Sequence, residues 1–164
     1  MEKNPYNNLE KAKRALRLNK FGDVIFPTEA AIKVCHMPYR RFSDWDRKGV
    51  LPHQKRGSIE GWRTFSFHDL LVIKVIALLR ENGVPVLKIK KMYDWLNGKE
   101  GITSLVERTL REDIYIATDL KDAPIVLLEK DFGDAVRLAQ PLMLAFKLRP
   151  ILDELLKDLE ELEK

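Results

Sequence analysis

Between Tyr39 and Arg63 the chain concentrates Arg40, Arg41, Arg47, His53, Lys55, Arg56 and Arg63. An arginine presents a fixed fork of N–H donors that grips either a phosphate or the edge of a guanine, so one residue type serves both positioning and sequence reading. Lysine and histidine add donors suited to phosphates, Tyr39, Ser43 and Asp44 add hydroxyl and carboxylate groups on the same stretch, and Thr28 adds a hydroxyl upstream of it. The chemistry such a set performs is charge-assisted hydrogen bonding to a polyanion.

Those side chains need elements to hold them. Pro27-Thr28-Glu29 reads as a helix start, with the Thr28 hydroxyl placed to cap free amides and Glu29 favourable in the first turn. Ala30, Ala31 and Val34 form a small packing face that Cys35-His36-Met37-Pro38 interrupts. Pro38 disfavours helix at Met37 and suits the opening turn of a second helix, expected from about Tyr39 to Lys48 and ended by Gly49. In it Phe42 and Trp45 fall three apart and face a core, leaving the arginines for other faces. Two short helices with a tight turn, the second rich in arginine, are the arrangement that puts side chains into a major groove. A solvated basic helix of some other helical domain has the same composition, so this helix alone leaves both readings open. The following loop, with Gly57 and Gly61 permitting turns, reads as a short two-stranded wing whose donors meet phosphates.

Two motifs then appear in order. Trp45-Asp46-Arg47-Lys48-Gly49-Val50-Leu51-Pro52 joins an aromatic, an acid and an arginine to a glycine and a Leu-Pro pair, and Gly61-Trp62-Arg63-Thr64-Phe65-Ser66 follows at the wing. With these, the run from Thr28 to Leu96 resembles the winged helix-turn-helix of the MerR family of bacterial regulators. The resemblance implies double-stranded DNA as partner, Arg63 as the wing arginine on a backbone phosphate, Trp62 as the aromatic beneath it, and Tyr39, Arg40, Arg41 and Ser43 as groove-facing residues. Two departures stand out: the turn around Cys35-His36 is one residue longer than is usual, and Ser43 stands where a groove-lining arginine is common. Arg40 or Arg41 takes that role from a shifted position, and which base each reads is open.

Downstream, Ser66-Phe67-His68-Asp69 has the form of a capping box opening an apolar helix that Asn82-Gly83 closes, and Pro85 starts another through Leu96. Charge separates the halves: residues 1–97 carry 19 Lys and Arg against 10 Asp and Glu, a net of +9, and residues 98–164 carry 10 against 15, a net of −5. The basic half is the one that bears the helix pair, as nucleic-acid binding requires. No apolar run approaches the ~18 residues of a membrane span, and the first residues lack the apolar stretch of a signal peptide, so a cytoplasmic protein is expected. Cys35 is the single cysteine, and His36, His53 and His68 lack ligand spacing, which predicts neither disulfide nor metal site. Without a phosphate loop, zinc motif or nucleophile elbow, neither enzymatic activity nor a cofactor is expected.

The fold class expected is mainly α with small β elements: a basic extension (1–24), a winged helix-turn-helix domain (25–97), and an acidic α+β dimerisation or partner domain (98–164) with a β-hairpin and a carboxyl-terminal helix. In the extension, Leu9, Ala12, Ala15 and Leu16 mark one face among lysines and arginines. That suits a docking segment, an arm along DNA or a membrane-surface helix, although Tyr6 and Phe21 are its only aromatic anchors. Ile102, Leu105, Val106, Thr109 and Leu110 predict a half-buried helix, and Asp113–Leu120 with Ala123–Lys130 predict the hairpin. Leu148, Leu152, Leu155, Leu159 and Leu162 have heptad spacing, which serves equally a dimer seam and packing on the chain's own core. The better-known MerR regulators continue instead into a long antiparallel dimer helix, so their promoter-twisting mechanism does not carry over. The functional expectation is a homodimeric, sequence-specific transcriptional regulator. Its alternatives are an antitoxin-like protein that binds a toxin through residues 98–164, to which this half bears some similarity, and an excisionase-like architectural protein.

Overall fold

The structure, a computed structural model, describes residues 5–52, 63–99, 101–119, 121, 124–138 and 143–164. Eight helices and five short strands follow one another among these residues. The chain opens with α1 (Pro5–Phe21), β1 (Phe26–Pro27), α2 (Thr28–Val34) and α3 (Tyr39–Arg47), then β2 (Thr64–Phe65), α4 (Phe67–Glu81) and α5 (Val86–Lys99). It continues with α6 (Ile102–Arg111), β3 (Ile114–Thr118), β4 (Ile125–Leu128), a 3-10 turn, α7 (Phe132–Leu138), β5 (Leu144–Lys147) and α8 (Leu148–Leu162). The fold is mainly helical, a helix-turn-helix unit joined to a small α+β part. Among the described residues no helix is long and apolar enough to cross a membrane.

Local chemistry explains the boundaries. The Ser66 hydroxyl accepts from the Asp69 amide at 3.1 Å while the Asp69 carboxylate accepts from the Ser66 amide at 2.8 Å, a complete capping box at the start of α4. Helices α3 and α4 end alike, with the amides of Gly49 and Val50 bonded to Asp46 and Trp45, and those of Gly83 and Val84 bonded to Arg80 and Leu79. Both glycines have positive φ, the left-handed conformation a Schellman end requires. Thr28 does not cap α2. The helix begins at Thr28 itself, Pro27 occupies the cap position, and no side chain bonds the free amides there, because Pro27 has no oxygen in its ring to offer.

The hairpin has the expected antiparallel pairing, Ile114 opposite Leu128 and Ile116 opposite Val126. A third strand was not expected: β5 pairs antiparallel with β3, so the order is β4-β3-β5 and β3 is central. Pro150 then falls in the first turn of α8, where its missing amide costs nothing.

One hydrophobic core runs through both halves. Phe42 meets Phe65 edge to face at 5.5 Å, and Ile73, Ile76 and Leu79 of α4 share a cluster with Leu105, Ile114, Leu152 and Leu155. Helix α8 packs on α4, α2 and α1. The heptad leucines therefore serve the protomer itself: Leu148, Leu152, Leu155 and Leu159 are buried within the single chain, and only Leu162, 40 % exposed, reaches solvent. A seam between copies cannot use the four that are already covered.

The basic extension is helical and docked. Leu9, Ala12 and Leu16 face outward, Leu16 being 70 % exposed, while Phe21 is buried and Leu18 packs against the core. Ion pairs line the contact with α8. Arg14 pairs with Asp153 at 2.9 Å, Arg17 with Glu160 at 3.2 Å and Lys20 with Glu163, so the basic face lies along the acidic face of α8, both helices running in the same sense. The Arg14 side chain is only 12 % exposed, which raises this pair above the small worth of a fully hydrated one.

Candidate nucleic-acid interface

Helix α3 is divided as its sequence pattern requires. Phe42 and Trp45 are buried, fixing the helix by its apolar stripe, and Tyr39, Arg40, Arg41, Ser43 and Arg47 stand exposed on the remaining surface. The helix is held at both ends, by Pro38 before Tyr39 and by the Gly49 turn after Lys48. Asp44 does not stand free among the cations. Its carboxylate binds the Lys48 ammonium at 2.9 Å and the Arg47 guanidinium at 3.2 Å, and the Lys48 hydrogen bond, against a smaller opposing effect of desolvation, holds the carboxyl below the usual range. Its charge is thus returned to the two cations it positions.

Beside α3 lies a concave basic cleft of about 800 Å³. Arg40, Arg41, Arg47 and Lys48 line one side, and Arg80 with Glu81 from the end of α4 lines the other. Lys48 and Arg80 join the interface through the fold, outside the residues the sequence marks for it. Lys48 carried a signal, one helical turn after Asp44 at i,i+4 spacing. Arg80 carried none, since only the packing of α4 brings its last turn beside α3.

The strand pairing gathers the remaining residues. Antiparallel contacts place Phe26 opposite Phe65 and Pro27 opposite Thr64, and one step further along that register lie Thr28 and Arg63. Thr28 is half-buried at the first position of α2. The Arg63 guanidinium forms an ion pair with Asp46 of α3, its side chain 30 % exposed, so the segment leading into β2 is tied directly to the arginine-bearing helix. His53, Lys55, Arg56 and Trp62, together with the expected two-stranded wing, lie outside the described residues.

Of the three histidines, the described two have different surroundings. His68 sits in the first turn of α4, where burial lowers its pKa in spite of Asp69 and Glu107 nearby. His36 occupies the turn between α2 and α3, exposed, with Nε2 3.0 Å from Asp158 of α8. Cys35 beside it is buried, and desolvation pushes its thiol up to about 12, which leaves it a small apolar core group at neutral pH.

No curated protein matches the chain. Residues 26–94 match the family model described as MerR HTH family regulatory protein, a segment that opens at β1 and includes α2, α3, β2, α4 and most of α5, and a MerR-type helix-turn-helix of this kind gives that part of the chain a DNA-binding regulatory character.

Proposed function

We propose that the protein is a sequence-specific, DNA-binding transcriptional regulator that acts in the cytoplasm as a homodimer on a two-part site. The exposed face of α3 enters the major groove, and Arg63 with the basic loop before it lies on phosphates. DNA contacts belong to residues 25–97, and contacts with a second copy or another protein belong to residues 98–164. The observation that carries the reading is the division of α3: Phe42 and Trp45 anchor it in the core, and Tyr39, Arg40, Arg41, Ser43 and Arg47 are left facing outward beside a basic cleft. Such a surface gains counterion-release affinity from any DNA and discrimination from whichever forks reach base edges.

Selection of bound fragments from genomic DNA, followed by footprinting, tests this directly. Inverted half-sites separated by about one helical turn or a multiple of it are expected. Binding without a recoverable sequence would move the protein to the architectural class, and absence of binding would end the proposal. Within the recovered site, Arg40→Ala or Arg41→Ala erodes base preference by about 1–3 kcal/mol where a bidentate contact is lost. Equal losses on specific and random DNA would mark them as phosphate anchors.

Arg63→Ala has a different expected signature. Affinity falls on all sequences alike, and the slope of log affinity against log salt decreases by about one unit, read by fluorescence anisotropy. A variant that loses folding stability but keeps the slope would restrict Arg63 to its pairing with Asp46.

A further inference from the structure

Where α8 crosses the turn between α2 and α3, three side chains with donor atoms converge. Glu154 and Asp158 lie one helical turn apart on the same face of α8, and His36 reaches them from the turn. One donor atom from each lies within 4.8 Å of the others, and the imidazole Nε2 is 3.0 Å from Asp158 Oδ2. From these positions we propose that His36, Glu154 and Asp158 form a binding site for a divalent transition-metal ion of the zinc class, clipping the carboxyl-terminal helix to the helix-turn-helix turn.

Four observations carry the assignment. The first is donor chemistry: one imidazole nitrogen and two carboxylates, three protein ligands that leave a coordination position to water, are a set zinc accepts at bond lengths of about 2.0–2.2 Å. The second is charge. Among the described residues the two carboxylates face one ammonium, that of Lys74, at 2.6 Å from Asp158 and 3.5 Å from Glu154, so the cluster keeps an excess negative charge. The third is access combined with fixation. His36 and Glu154 are about two-thirds exposed, open to an ion from solvent, while Asp158 is 14 % exposed and held in place by Lys74, the kind of outer-shell bond that orients a metal ligand.

The fourth concerns the turn itself. The amides of His36 and Met37 bond to Lys33 and Ile32, so α2 ends as α3 and α4 do, but with a histidine where those helices have glycine. His36 has φ +51°, a left-handed conformation that costs a side-chain-bearing residue free energy. Histidine is, with asparagine and aspartate, one of the side-chain-bearing residues that enter this region more often, and the turn carries its imidazole to within 3.0 Å of Asp158. Cys35 takes no part, its thiol being buried and directed at the Leu70 carbonyl.

The inference is independent of the DNA reading, and its test uses no DNA. Thermal unfolding of the purified, chelator-treated protein is followed with added zinc chloride or magnesium chloride. Zinc at roughly a hundredfold above its dissociation constant raises Tm by about 5 °C or more, and magnesium at the same concentration does not, being a hard ion reluctant to shed water for imidazole. Cobalt(II) serves as a visible reporter, its absorption bands intensifying on the chain. His36→Asn, which keeps a residue tolerant of the left-handed turn, and Glu154→Gln, on an exposed side chain, fold with nearly unchanged Tm in the absence of metal. Each loses both the zinc shift and the cobalt spectrum. A wild-type chain that shows no shift, or a shift that survives either substitution, overturns the assignment.

Discussion

Asp158→Asn destabilises the protein by about 3–5 kcal/mol, read from urea unfolding followed by circular dichroism. The size follows from what is left behind. Lys74 lies on α4 with a side chain only 6 % exposed, and its ammonium rests on Asp158 at 2.6 Å. An amide in place of the carboxylate strands a charge away from water, since Glu154 at 3.5 Å is mostly solvated and compensates weakly. Removing both charges is a different matter: Lys74→Met together with Asp158→Leu recovers most of the loss, because a buried pair replaced by apolar groups is often close to neutral. A change within about 0.5 kcal/mol for Asp158→Asn would mean that water reaches Lys74 freely and that the pair holds nothing. The same pair gives a pH dependence of known sign. Asp158 titrates lower in the folded chain than in the unfolded one, so its contribution is complete above the ordinary carboxylate range and fades as pH falls through the lowered value.

Leu155→Ala costs about 2–5 kcal/mol, whereas Leu162→Ala changes stability by no more than about 0.5 kcal/mol. Both leucines belong to one heptad pattern, yet Leu155 is fully buried and Leu162 is 40 % exposed. Truncating Leu155 opens a void in the core, and its neighbours there cannot close over it without leaving their own contacts. The cost is expected to be independent of protein concentration, because the packing lies inside one chain. Equal effects at the two positions, or a Leu155→Ala midpoint that moves with concentration, would instead make the leucines a seam between copies.

What the sequence made legible was local. The division of α3 into buried Phe42 and Trp45 and exposed arginines follows from spacing alone, as do the capping box at Ser66 and the pairing of β3 with β4, whose hydrophobic runs alternate or fill a strand. The features that escaped depend on partners far along the chain. Strand β5 is four residues placed directly before a helix, too short to show a period. The pairing of Phe26–Pro27 with Thr64–Phe65 joins two dipeptides too short to show a strand period. Leucine spacing of 3 and 4 in α8 is identical for a core helix and a coiled coil, and only the surfaces opposite it decide between them. For α1 the pairing of Arg14, Arg17 and Lys20 depends on acidic groups of α8 far along the chain, which the spacing of its own residues does not show.

Within the candidate interface, Tyr39, Arg40, Arg41, Ser43 and Arg47 of α3 are exposed and Asp44 is partly buried. Asp44 shows why residue lists are incomplete without geometry. By sequence it is an acid among groove-facing side chains, and in the structure it spends its charge on Arg47 and Lys48.

The ladder of ion pairs between α1 and α8 has a consequence for the order in which the molecule comes into being. Arg14 leaves the ribosome 139 residues before the Asp153 that receives it. During that interval the faces of α2 and α4 that α8 covers have no lid, and α1 carries unpaired positive charge next to the polyanionic RNA of the machine making it. Closure is therefore a late event with a long loop to shut, which slows folding relative to a bundle built from sequence neighbours. A nascent chain halted before α8 should be protease-sensitive throughout its helix-turn-helix segment, and release of the last turns should convert it to a resistant form in one step.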